Sequence, residues 1–371
     1  MSQDTGIVGD VRKAAVLKAG GLGDVAFSLP SLEALRAAYP AAEFVLLTSR
    51  AWAEILRSRP SPVDLAVAVP PFEGDASRTP SARKRLEAFC SKMRAERFDL
   101  VLQMHGGGAN SNPLVARLGG RTTAGLRAQG APPLDRTAPY VHFQFEVARC
   151  LEVAGLAGAS PVSIEPRLAL TPSDVAAASA ALPDDGRRLA VVHPGAGDPR
   201  RWWPAEKFAE VGCELADAGA RVAIVGMPPE RRLAARVAAG VPGAVDLCGT
   251  LRLHALLGLL ARAAVVVSND SGPLHLANAL GAATVGVYWC GNLVNSGPGT
   301  VARHRTFAAW RIACPECGRD CMAEGCSHDA SFVADVPVRD VADAALELLL
   351  SPPEASPHPA DVPAGPSLQA L

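Results

Sequence analysis

Short apolar runs alternate with amphipathic stretches along most of the chain. Ala14 to Leu17, Phe44 to Leu47, Leu65 to Val69 and Leu100 to Met104 are nearly unbroken apolar blocks of strand length. Such blocks mark strands covered on both faces, as in parallel sheets. Ser28 to Tyr39 and Leu86 to Arg94 carry helical spacing instead. The pattern restarts in the second half. "RLAVVHPGAG", "ARVAIVG", "AAVVVSND" and "AATVGVYW" predict strands, and "PAEKFAEVGCELADAG", "LHALLGLLARA" and "GPLHLANALG" predict the helices between them. Strand and helix in alternation predict an α/β fold with two doubly wound parallel-sheet domains.

Between the halves, "FQFEVARCLEVAGLAGASPVSIEPRLALTPSD" opens as a last helix and continues as a Pro-, Gly- and Ser-bearing linker. The expected domains are therefore residues 1–165 and 166–350, followed by a Pro- and Ala-rich, disordered tail over 351–371. Two such domains are expected to leave a ligand cleft outside the carboxyl ends of their strands.

Composition narrows the class. The 371 residues are 49% hydrophobic and 20% charged, with a formal net charge of -1. No global basic field suggests a nucleic-acid partner. Met1 to Asp10 is polar and acidic, unlike a secretory leader, and no apolar run is long enough to span a bilayer. The nine cysteines are odd in number and four crowd into one segment, which points to a reducing, cytoplasmic setting.

Chemistry gathers after the predicted strands. In "KAGGLGDVAF" a glycine turn is followed by Asp24, which can cap the next helix or act as a base. Gly21, Gly23 and Ala26 also spell the G-x-G-x-x-A of a dinucleotide site. The second strand ends in Thr48, Ser49 and Arg50, so an NADP reading stays open. "QMHGGGANSNP" offers His105, Asn110 and Asn112, polar groups suited to sugar hydroxyls. "HPGAGDPRRWWP" places Gly195 in a turn and Arg201 after it, a fork of donors suited to phosphate. "VGMPPE" ends a strand at Gly226 and supplies Glu230 for ribose hydroxyls. "SNDSGPLHLANALG" puts Asp270, Ser271 and Gly272 at a helix start with His275 in its first turn, a phosphate-binding arrangement. Finally, Cys314, Cys317, Cys321 and Cys326 could bind a structural zinc.

Taken in order, the G-x-G-D turn, H-P-G-A with a basic residue before W-P, G-x-x-x-E and N-D-S-G-P-x-H-L-A-x-A-L-G resemble glycosyltransferase family 9, the heptosyltransferase family of bacterial lipopolysaccharide synthesis. The resemblance runs over about residues 12–350. It implies a GT-B fold, with two Rossmann-like domains facing each other and the donor held mostly by the second. It implies inverting, metal-independent transfer from ADP-heptose, with Asp24 as base. Glu230 is then expected on the ribose, and Asp270, Ser271, Gly272, His275 and a basic side chain at the departing diphosphate. Gly23, Gly195 and Gly226 join the donor set, and His105, Asn110 and Asn112 face the acceptor. The family's lysine before x-W-P is replaced by Arg201. The expected acceptor is a glycan, a lipid-linked glycan or a small molecule, with transient membrane-surface contact for a lipid-linked one. The competing readings are a sugar-nucleotide epimerase of the same fold, an NADP-dependent oxidoreductase, and a sugar-nucleotide-binding protein without activity.

Overall fold

The computed structural model describes residues 6–74 and 77–351. The Pro- and Ala-rich tail lies, from residue 352 on, outside the described residues. Contacts divide the chain into two units between Pro166 and Arg167.

The first unit carries a six-stranded sheet of β1 (Lys13–Leu17), β2 (Glu43–Thr48), β3 (Leu65–Ala68), β4 (Leu100–Gln103), β5 (Thr122–Arg127) and β6 (Arg136–Pro139). The second carries β7 (Leu189–His193), β8 (Arg221–Ile224), β9 (Val245–Asp246), β10 (Val265–Asn269), β11 (Thr284–Trp289) and β12 (His304–Ala309). The strand orders are β3-β2-β1-β4-β5-β6 and β12-β11-β10-β7-β8-β9. Every pairing between these strands is parallel. Both sheets thus have the doubly wound order of a dinucleotide-binding fold, with the winding reversing between β1 and β4 and between β7 and β10.

Burial explains the inner strands. Ala14 to Leu17, Leu100 to Leu102, Ala190 to Val192 and Val265 to Val267 are all fully buried. In the first unit, Ala15, Leu17, Val45 and Val101 pack with Met93, Leu114, Val115 and Leu118. In the second, Val192, Val222, Val265 and Val267 share a core with Trp203, Phe208, Val211 and Leu215 on one side of the sequence and Val341, Ala345 and Leu348 on the other. Removing this much apolar side chain from water is the main force holding each sheet to its helices.

Four strands escape the hydrophobic pattern: β5 (TTAGLR), β6 (RTAP), β9 (VD) and β12 (HRTFAA). Three of these sit at sheet edges, where one side is open and polar side chains are tolerated. Pro139 ends β6, consistent with the confinement of proline to edges. The helix Ser111–Leu118 was likewise hidden in a stretch that reads as a glycine-rich loop.

Candidate active site

In each unit most of the singled-out residues follow the two strands that flank the reversal point, and Gly226 and Glu230 follow the neighbouring β8. Asp24 and the His105 loop follow β1 and β4; the arginine turn and Asp270 follow β7 and β10. Ligands of doubly wound sheets bind there, because the two chain segments diverge and leave a crevice.

In the first unit, Asp24 is the third residue of the short helix Leu22–Ala26. Its Oδ2 accepts the Gly21 N–H at 2.7 Å. This closes the helix start and fixes the direction of the carboxylate, which is itself exposed. Gly20 is required by that placement: a Cβ there would lie 2.5 Å from Asp24 Cβ and 2.6 Å from Oδ2. Gly23 is buried within the same turn. Thr48 ends β2, and Ser49 precedes the helix Arg50–Leu56.

Beneath Asp24 lies a charge network that the sequence pattern did not reveal. Lys18, 2% exposed, pairs with Glu146, which also pairs with Arg149. Burial works against the Lys18 ammonium. The negative groups around it prevail, Glu146 ahead of Asp24 among the carboxylates, and hold it above its ordinary range. A buried lysine held in its charged form by these neighbours thus sits within the field of the exposed Asp24. Replacing it by methionine strands Glu146 with one partner. We expect Lys18→Met to lower stability by about 3 kcal/mol, read as a fall in thermal midpoint by circular dichroism.

His105 follows β4. Its Nδ1 accepts the Ala19 N–H at 3.3 Å, so Nε2 carries the proton and donates to Glu73 at 2.9 Å. His105 therefore bridges the two loops of this reversal point. Asn110 is exposed at the start of the helix Ser111–Leu118. Asn112 departs from the expectation of an acceptor-facing side chain. It is fully buried, and its amide donates to the carbonyls of Leu126 (3.2 Å) and Pro132 (2.8 Å). Gly108 makes room for it, since a Cβ there would overlap the Asn112 amide.

In the second unit, Asp270 is the hub. Its buried carboxylate accepts from Arg201 Nη1 at 2.8 Å, His275 Nε2 at 2.9 Å and Ser296 Oγ at 2.9 Å. Burial opposes its charge, but His275, Arg201 and Ser296 outweigh that and hold its carboxyl below the usual range. Arg201 and His275 are thus first of all braces for Asp270. Ser271 and Gly272 stand half-exposed at the N-terminus of the helix Gly272–Ala279, with Pro273 in its first turn.

A second chain of contacts joins this helix start to Glu230. His193 Nδ1 lies 3.0 Å from Ser271 Oγ, and its Nε2 lies 3.4 Å from Glu230 Oε2. Glu230 also accepts the Met227 N–H at 2.6 Å. Burial raises its pKa, yet His193 and the Met227 N–H bring it below the ordinary glutamate value. Both glycines near it are needed for space. A Cβ at Gly195 would overlap the Glu230 carboxylate, and one at Gly226 would come within 2.9 Å of Cys248 Sγ and 3.1 Å of Glu230 Oε2. Asn269 ties the two loops together: its amide donates to Pro194 O at 2.6 Å and its Oδ1 accepts the Trp203 N–H at 3.1 Å.

His193, Asn269, Ser296, Lys18 and Glu146 are the site residues that sequence reasoning missed. His193, Asn269 and Lys18 stand inside the motifs quoted from the sequence, but nothing local marks them as partners of Ser271, Trp203 and Glu146. Ser296 lies on a seven-residue helix and Glu146 lies 128 residues from Lys18, and neither leaves a local signal.

The cysteine-rich segment brings together a different quartet from the four cysteines expected. The ligand atoms of Cys314, Cys317, Cys326 and His328 all lie within 4.8 Å of one another. Cys321 falls outside this quartet; its Sγ lies 3.5 Å from both Cys326 Sγ and the Arg319 carbonyl.

Comparison with known proteins identifies the family. The profile of glycosyltransferase family 9 (heptosyltransferase) matches residues 86–321. Lipopolysaccharide heptosyltransferase 1 of Escherichia coli is 30% identical over 287 residues, covering 74% of this chain and 87% of that protein. A family 9 glycosyltransferase from Veillonella parvula shares the fold with a TM-score of 0.78 at 20% identity, over 93% of this chain and 99% of its own. The E. coli ADP-heptose lipopolysaccharide heptosyltransferase II does so with a TM-score of 0.72 at 19% identity, over 91% and 98%. The shared architecture is GT-B, and the match favours a transferase over the oxidoreductase and epimerase readings. The chain belongs to glycosyltransferase family 9, the heptosyltransferase family.

Proposed function

We propose that this glycosyltransferase moves a heptose from ADP-heptose to an acceptor hydroxyl with inversion at the anomeric carbon. The observation that carries the assignment is the gathering of acidic, basic and glycine residues after β1, β4, β7 and β10, at the two reversal points. The donor class is supported by the similarity to an E. coli ADP-heptose enzyme.

Asp24 is the proposed base. It takes the proton of the acceptor hydroxyl as the oxygen bonds to the anomeric carbon. The bond from that carbon to the diphosphate breaks on the opposite face, and ADP leaves. A carboxylate held in direction by the Gly21 N–H suffices for this step when the hydroxyl is held against it. The larger electrostatic task is the departing diphosphate. Arg201, braced by Asp270, and the helix start at Ser271 and Gly272 are assigned to it. Arginine in place of the family's lysine keeps the charge and adds a planar fork. Glu230 is assigned to the ribose hydroxyls, with Gly195 and Gly226 permitting close approach and Gly23 completing the turn under Asp24. His105 and Asn110 face the acceptor, and Asn112 fixes their loop from inside.

No metal takes part in the transfer under this reading, and any ion belongs to the cysteine-rich segment as a structural one. The acceptor is proposed to be a glycan or lipid-linked glycan met at the cytoplasmic membrane surface. Among the described residues no helix is long and apolar enough to cross a membrane. The test is a turnover assay with ADP-heptose and a heptose-free lipopolysaccharide core, in excess chelator, following ADP release and the anomeric configuration of the product. ADP release with inverted product is expected. Transfer from UDP- or GDP-sugars in preference to ADP-heptose would overturn the donor assignment, and abolition by chelator would overturn metal independence.

A further inference from the structure

The stretch between Ala309 and the helix Val338–Leu350 is fastened at both ends to the second unit's loops. Trp289 Nε1 donates to the Arg311 carbonyl at 2.6 Å. Ser331 Oγ donates to the Trp202 carbonyl at 2.7 Å and the Phe332 N–H to the Arg200 carbonyl at 2.8 Å. Those two carbonyls belong to the turn that carries Arg201. In the middle, the sequence C-P-E-C-G folds as a knuckle. Cys314 N–H donates to Arg319 O at 2.8 Å, and Gly318 N–H to Cys314 O at 2.9 Å. Gly318 has φ +70°, a conformation that glycine adopts without strain. The knuckle presents Cys314 and Cys317 to Cys326 and His328.

The geometry suits a tetrahedral ion. Ligand atoms around zinc, at ~2.3 Å for sulfur and ~2.0 Å for nitrogen, stand roughly 3.5–3.8 Å from one another. Cys314 Sγ and His328 Nδ1 are 3.8 Å apart, and all four ligand atoms fall within 4.8 Å of one another. Backbone N–H groups of Arg319 and His328 point at the sulfurs of Cys317 and Cys326, as they do around metal thiolates. His328 Nε2 lies 3.8 Å from the Glu316 carboxylate, beyond hydrogen-bond distance but on the side where a ligating imidazole takes an outer partner.

We propose that Cys314, Cys317, Cys326 and His328 bind one zinc(II) ion, with Cys321 outside the set, and that the ion holds this segment against the turn carrying Arg201. The second clause rests on the donor site proposed above. On binding, the three thiols release their protons to solvent, and three thiolates with a neutral imidazole leave the centre at net -1. Arg200, whose guanidinium is held by Asp198 at 2.6 Å, lies near Cys321 and Cys326.

The experiment is metal analysis of the full chain purified under reducing conditions, together with cobalt(II) replacement read by its thiolate absorption. Wild type and Cys321→Ser are expected to hold one zinc per chain. Cys326→Ser and His328→Ala are expected to lose it while eluting as folded protein. Metal-free wild type, iron in place of zinc, a Cys321–Cys326 disulfide in the unloaded chain, or loss in Cys321→Ser with retention in His328→Ala would each overturn the site. Stripping the ion should weaken ADP binding about tenfold. Unchanged ADP binding after stripping would overturn the fastening role. Failure of the loaded wild type to bind ADP would overturn the donor reading and leave the zinc count standing.

Discussion

Asp24→Asn is expected to lower kcat by about a thousandfold while leaving ADP affinity and thermal stability close to wild type. The reasoning begins with geometry. Asparagine is nearly isosteric with aspartate, and its side-chain oxygen can still accept the Gly21 N–H that Asp24 accepts at 2.7 Å. The capping contact therefore survives, and with it the helix start. What disappears is the capacity to take a proton. A factor of a thousand corresponds to about 4 kcal/mol of transition-state stabilisation, within the range of a positioned general base. Steady-state turnover with ADP-heptose, beside a melting curve, separates the two roles. Activity within a few fold of wild type would remove Asp24 from the chemistry and leave it as a cap.

Asp270→Ala is expected to fail differently. The buried carboxylate accepts from Arg201, His275 and Ser296. Its removal leaves a buried histidine and an arginine without their common partner, at a cost of about 3–5 kcal/mol. Because Arg201 then loses its direction, ADP affinity should fall by roughly a hundredfold, about 2.7 kcal/mol. The sign of the pH dependence follows from the lowered pKa. Asp270 in the folded chain holds its charge to a lower pH than in the unfolded chain. Its contribution is therefore fully present above the unfolded value, near pH 4, and is lost as pH falls through the folded value. Wild type and Asp270→Ala should differ most near neutrality and converge in acid. Urea denaturation at several pH values measures this, and a difference independent of pH would contradict it.

Much of the architecture was legible because the inner strands are apolar blocks. Ala14 to Leu17 and Val265 to Val267 must be covered on both faces, and their spacing requires helical crossovers between parallel strands. The edges were not legible. "HRTFAA" pairs along one side only and carries no apolar block, so β12 looks like loop. The site followed the same division. Asp24, Glu230 and Asp270 stand in glycine-bearing turns directly after strands, where the chain order announces them. Lys18 with Glu146, and Asp270 with Ser296, are tertiary pairs whose partners lie on distant helices, and no periodicity encodes such a meeting. Asn112 misled for a related reason. Just after a run of glycines an asparagine reads as a turn residue open to ligand, yet Asn112 stands in the first turn of the helix Ser111–Leu118, which directs it inward to satisfy two carbonyls. His328 was missed because the four cysteines already completed a plausible ligand set, and only the fold of the knuckle shows which thiol stands outside.

The central claim divides the labour: the second unit holds the nucleotide and Asp24 of the first performs the proton transfer. Calorimetric titration of ADP into wild type, Asp24→Asn and Asp270→Ala, in excess chelator, tests that division most directly. The account predicts equal affinity for wild type and Asp24→Asn and a loss of roughly a hundredfold for Asp270→Ala. Loss of ADP binding in Asp24→Asn with retention in Asp270→Ala would contradict it.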